Sequence, residues 1–81
     1  MISSEEVKPR TKEFIKRHFR HLDFTDDEDI FALGFVNSLF ALQLVMFVEK
    51  TFQLTVDDED LRIENFQSIN AVADLVRRKT A

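Results

Sequence analysis

Apolar residues recur with a helical period in three segments of this chain, and acidic stretches separate them. The first segment runs from about Ser4 to Arg20. Val7, Phe14, Ile15 and Phe19 share one stripe there, with Leu22 just beyond it, and Lys, Arg and His18 fill the other positions. Ser3 or Ser4, followed by Glu5 and Glu6, suits the start of a helix. Pro9 fits best at a first helical position, which predicts that the regular helix begins near Lys8 behind a looser acidic turn. From His21 to Val36 no period is visible. Phe24, Ile30, Phe31 and Leu33 interrupt the run Asp26-Asp27-Glu28-Asp29 there, which predicts a long loop pinned to the core, of the kind that often carries function.

The second helix is expected from Ser38 to about Phe52. Leu42, Val45, Val48, Glu49 and Phe52 lie on one side, and Leu39, Phe40, Gln43, Met46, Phe47 and Lys50 cover much of the rest, so the helix is apolar nearly all round. Such a helix is either buried on most sides or offers apolar residues to a partner. Gln53 to Val56 reads as an extended connection, and a short helix over about Glu59 to Glu64 would take its negative charge from Asp57-Asp58-Glu59-Asp60. The last helix follows Ser68 as N-cap, carries Ile69, Val72, Ala73, Leu75 and Val76, and closes on Arg77-Arg78-Lys79. The prediction is an all-α fold: a small four-helix bundle, three long helices and one short, with a long loop between the first two.

Composition narrows the chemistry. Residues 1–81 are read as a single domain whose stability comes from packing, with nine phenylalanines and one glycine. The absence of cysteine excludes a disulfide framework, a thiolate nucleophile and a thiolate metal site. A net charge of −4 argues against nucleic acid as a partner, since phosphate recognition needs a basic face. The acidic run lacks the alternating ligands, internal glycine and terminal glutamate of an EF-hand loop, so solvated charge is the reading there and no metal site is expected. Met1–Glu6 is unlike a signal peptide, and Leu39–Val48 is too short to span a membrane. The expectation is a soluble, cytoplasmic monomer.

The candidate chemistry lies in Leu33-Gly34-Phe35-Val36-Asn37-Ser38-Leu39-Phe40. Gly34 permits a tight turn, Asn37 is a strong N-cap, and Ser38 then stands at the first position of the second helix with its hydroxyl outward. Free amide hydrogens and the positive helix end surround such a hydroxyl, which suits phosphate esterified to serine. Use of Ser38 as a nucleophile is disfavoured: only His18 and His21 offer a base, and the second glycine of a G-x-S-x-G elbow is missing. A plain capping role is the bland alternative.

Taken together, the long first helix, the acidic loop, the glycine, the Asn-Ser-Leu opening an apolar second helix, the short third element and the capped last helix resemble an acyl carrier protein along the whole chain. Gly34, Ser38 and Leu39 match that family's attachment motif, with Asn37 in place of its aspartate, and Leu42, Val45, Glu49, Phe52, Val56–Glu59 and Ser68-Ile69 extend the match. The resemblance implies that Ser38 carries phosphopantetheine, transferred from coenzyme A by a magnesium-dependent phosphopantetheinyl transferase. It implies further partners in an acyl-loading enzyme, acyl-modifying enzymes and an acyltransferase or synthase, with no catalytic residue in the chain itself. Fatty-acid carriers present a strongly acidic second helix; Phe40, Gln43, Phe47 and Lys50 stand at those positions here, which implies weaker electrostatic docking and more apolar contact. The run Gly34–Val45 is most similar to free-standing carriers for unusual polyketide extender units such as methoxymalonyl, hydroxymalonyl or aminomalonyl thioesters. A carrier of an activated amino acid, of D-alanyl or peptidyl type, is the related alternative, and a non-carrier helical interaction module the unrelated one. The partner surface is expected at Asn37, Leu39, Phe40, Gln43, Met46, Glu59 and Ile63, while Phe66 is expected in the core.

Overall fold

In a computed structural model, residues 4–20, 23–34 and 37–80 are described. The roles expected of Ser3, His21, Leu22, Phe35 and Val36 lie outside these residues. The described chain forms four α-helices, α1 (Ser4–His18), α2 (Ser38–Phe52), α3 (Ile63–Phe66) and α4 (Ile69–Thr80), with one 3-10 turn at Asp58–Asp60. It is a small all-helical bundle, as the periodicity predicts.

Helix α1 does not wait for Pro9. It begins at Ser4 and runs through the proline. Pro9 lies on the exposed outer side together with Glu5, the residue whose carbonyl the ring leaves without its helical donor. The buried positions are Val7, Thr11 and Ile15, with Phe14 and Phe19 half-buried against the same core. Thr11 escapes a search for apolar residues, yet it is fully enclosed and its hydroxyl has no hydrogen-bond partner among the described residues.

The acidic loop is pinned as expected. Phe24 and Ile30 are buried, and Phe31 and Leu33 pack on the core from above. Two backbone bonds join the loop to the far end of the chain: Ile30 N–H donates to Gln67 O at 2.7 Å, and Asn70 N–H to Asp26 O at 2.9 Å. The carboxylates build turns. Asp29 accepts from the backbone of Phe31 and Ala32, Glu28 accepts from Thr25 N–H, and Asp27 accepts from the Thr25 hydroxyl, which holds the Asp27 carboxyl below its usual range.

Helix α2 buries one of the several apolar faces that its pattern leaves open. Phe40, Leu44, Val48 and Phe52 face inward at intervals of four residues, whereas Leu42 is 59% exposed and Val45 half-buried. An all-round apolar helix has no period of its own to select a face. Aromatic packing selects it instead, with Phe40 stacked on Phe14 and edge-on to Phe19, and Phe14 stacked on Phe47. The helix ends at Gln53, which adopts left-handed φ and ψ of 53° and 56°.

The short third helix, expected over Glu59 to Glu64, is split in two. Asp60 turns its carboxylate back to Asp57 N–H at 3.1 Å and closes a box around the 3-10 turn; Leu61 and Arg62 are non-helical, and α3 starts only at Ile63. Phe66 then enters the core, and Ser68 caps α4 by accepting from Ala71 N–H at 3.0 Å. All five apolar residues expected on α4 are buried, and α1 and α3 both pack on them.

Replacing Thr11 with valine keeps its shape and removes the enclosed hydroxyl. Thr11→Val is expected to raise stability by about 1 kcal/mol in urea unfolding; a loss of stability would show that the hydroxyl has a partner in solution.

Candidate functional site

The site is built where the loop becomes α2. Gly34 closes a turn, its N–H donating to Phe31 O at 3.1 Å, with φ at 82°. A side chain there would meet nothing within 4 Å, so the glycine answers to backbone conformation and not to crowding. Asn37 is extended, with φ −116° and ψ −177°. Its Oδ1 accepts from Phe40 N–H at 3.0 Å and its carbonyl from Ala41 N–H at 2.9 Å. Ser38 therefore stands at the first helical position, exposed.

Beside Ser38 lies a groove of about 540 Å³ between α2 and the segment that leads into α3. Ala41, Leu42 and Val45 form one wall, Leu61, Arg62 and Ile63 the other, with Phe31 and Phe66 also lining it. A group esterified to Ser38 has here both an exposed point of attachment at the positive helix end and an apolar trough to lie along.

The seven residues expected on a partner surface do not form one patch. Asn37 and Ile63 line the groove with Ser38, whereas Gln43 and Met46 line a second hollow, against α1, with Phe14, His18, Phe47 and Lys50. Leu39 is the most exposed large apolar side chain among the described residues, at 67%, and Glu59 is exposed in the turn before α3. Phe40 is a correction: it is only 5% exposed, because the aromatic cluster of Phe14 and Phe19 draws it inward. Leu42 and Leu61 were missed. Leu42 stood on one side of a helix apolar nearly all round, and Leu61 inside an expected helix; their exposure follows from the α2 face that Phe14 and Phe19 draw inward and from the split third element.

Charge is sparse on α2. Its first turn holds no acidic residue, and Glu49 is spent internally, accepting from Val56 N–H at 2.9 Å. The nearest acidic cluster, at Asp57–Asp60, is tied to α4. Lys79 Nζ lies 2.8 Å from Asp57 Oδ2 and 2.7 Å from Asp60 Oδ2. The bond from Lys79, seconded by Asp57 N–H, holds the Asp60 carboxyl below its ordinary value, and Asp57 with Asp60 holds Lys79 above its own. His18 packs face-tilted on Phe14 and edge-on to Phe40, with Nδ1 3.1 Å from Phe14 O. It belongs to the second hollow and not to the groove beside Ser38. Among the described residues no group of three acidic or histidine side chains gathers as a metal site, and no helix is long and apolar enough to cross a membrane.

Compared with protein families, residues 12–76 match the family described as the phosphopantetheine attachment site. Comparison with curated proteins and with solved structures returned no match.

The capping geometry is open to a direct check. Asn37→Ala is expected to cost about 1 kcal/mol of stability, and Asn37→Asp to retain it, since a carboxylate caps equally and complements the dipole. An equal loss in both variants, measured by urea unfolding, would show that the side-chain oxygen does not cap.

Proposed function

We propose, from the premise that this chain belongs to the phosphopantetheine attachment family, that Ser38 is the point of attachment and that the cargo is an unusual polyketide extender unit. Members of this family carry acyl groups and do not themselves catalyse, and they meet a phosphopantetheinyl transferase and acyl-handling enzymes in turn. When bound, phosphopantetheine supplies the terminal thiol that this cysteine-free chain lacks, and acyl groups ride on it as thioesters.

One observation carries the choice of Ser38: an exposed hydroxyl at the first position of a capped helix, opening onto an apolar groove. Each neighbour then has a task. Gly34 and Asn37 shape the turn that presents the hydroxyl, Asn37 takes up the Phe40 amide, and the remaining free amides of the first turn favour a phosphate on Ser38. Leu42, Val45 and Ile63 offer apolar cover to whatever lies along the groove. Leu39, exposed beside the serine, with Gln43 one turn and Met46 two turns further on, forms the surface on which partner enzymes settle. Because this surface is apolar and nearly uncharged, docking depends on contact area more than on charge.

The extender-unit reading is supported by the similarity of Gly34–Val45 to free-standing carriers of that type. Cytoplasmic residence as a monomer, on call to separate enzymes, accords with it.

Intact mass after incubation with coenzyme A, magnesium and a permissive transferase is expected to rise by one phosphopantetheinyl unit. Ser38→Ala is expected to keep its fold and gain nothing. A folded wild type that gains nothing with several transferases would leave Ser38 a helix cap and the protein an interaction module. For docking, raising salt from about 0.05 to about 0.5 M is expected to weaken partner binding less than about threefold; a loss of tenfold or more would restore charge as the main contact.

A further inference from the structure

The two walls of the groove beside Ser38 are held in different ways. The α2 wall is part of a helix anchored by Leu44 and Val48, both fully buried. The opposite wall is not. Leu61 and Ile63 are 49% and 60% exposed, so burial does not hold them, and α3 touches α2 much less than it touches α4. Within itself this wall is knit together: Asn65 Nδ2 donates to Asp60 O at 2.8 Å, and Arg62 Nε to Glu59 O at 3.3 Å. Phe66 roots its far end in the core.

Its near end is bound to the last turn of α4 by charge. Lys79 reaches both Asp57 and Asp60, and Arg78 donates to Asn65 Oδ1 at 3.0 Å while its Nε lies 3.2 Å from Asp74. Lys79 and Asp60 are only 22% and 18% exposed, so this pair is better shielded than an ordinary surface bridge.

We infer that Lys79, seconded by Arg78, is a positioning residue for the groove: it clamps the Asp57–Asn65 wall to α4 and so sets how widely the trough beside Ser38 opens. With the clamp closed, Lys79 holds the Asp57 and Asp60 carboxylates together and the turns of the wall keep their internal bonds. With it released, those turns loosen, and Leu61 and Ile63 move away from Leu42 and Val45. The significance for acyl cargo rests on the carrier reading, whereas the clamp itself does not.

Hydrogen exchange on the protein without an arm separates the two. The amides of Leu61, Arg62 and Asn65, which bond to Asp58, Asp60 and Arg62 respectively, report on the wall. In Lys79→Met they are expected to exchange about three- to tenfold faster, with the amides of Ile15, Leu44 and Val72 unchanged, and Lys79→Arg is expected to restore the slow rate. Unchanged wall amides in Lys79→Met would overturn the clamp, as would an equal acceleration throughout the core, which would make Lys79 a general stabiliser. Should Lys79→Met fail to fold, Lys79→Gln, which also removes the charge, provides the same comparison, and wall amides that exchange no faster there would overturn the clamp. Wall amides that respond in a protein that accepts no arm on Ser38 would uphold the clamp and refute the carrier reading.

Discussion

Burial of Ile69, Val72, Ala73, Leu75 and Val76 on α4 is the constraint from which the remaining geometry follows. Fully burying an isoleucine, valine or leucine side chain is worth on the order of 1.5–3 kcal/mol, and four of the five are of this kind, which is large beside the net stability of a small domain. Helix α1 covers this stripe, α3 leans on it, and the residues at its start, Gln67 and Asn70, hold the acidic loop by its backbone. The loop in turn delivers Gly34 and Asn37 to the start of α2. The position of Ser38 is thus settled from the opposite end of the molecule.

Helix α2 is the element least bound by that constraint, and its surface is divided among three duties. The stripe from Phe40 to Phe52 enters the core, the side bearing Ser38, Ala41, Leu42 and Val45 borders the groove, and the side bearing Gln43, Met46 and Lys50 borders the hollow against α1. An apolar surface on all three sides serves each of them. That economy explains both the absence of acidic residues from the first turn of the helix and the number of large apolar side chains left in solvent.

Much of this was legible in the residues. Ser68, Asn37 and the α4 stripe announce themselves because a cap oxygen and a clean amphipathic period each act locally. Phe24 and Ile30 stood out as anchors because apolar residues inside an acidic run have few other uses. The inward face of α2 was not legible, since a helix apolar all round takes its orientation from neighbours, here Phe14 and Phe19. Nor was the break before α3: the capping box at Asp57 and Asp60 joins groups that a count of helix formers does not pair. Thr11 was missed for a third reason, that burial follows position on the helix and takes no account of polarity. The family signal rested on Gly34, Ser38 and Leu39, where motif and local geometry coincide.

The bonds from Ile30 to Gln67 and from Asn70 to Asp26 have a consequence for how the protein is made. They join Asp26 and Ile30 to Asn70 and Gln67, so during synthesis the loop leading to Ser38 emerges long before its partners do. Until Asn70 has left the ribosome, the turn at Gly34 and Asn37 has nothing to rest against, and α4, which would support it, is still unborn. The serine is therefore translated early and presented late, and any enzyme that reads the finished helix start must wait until Asn70 and α4 have been made.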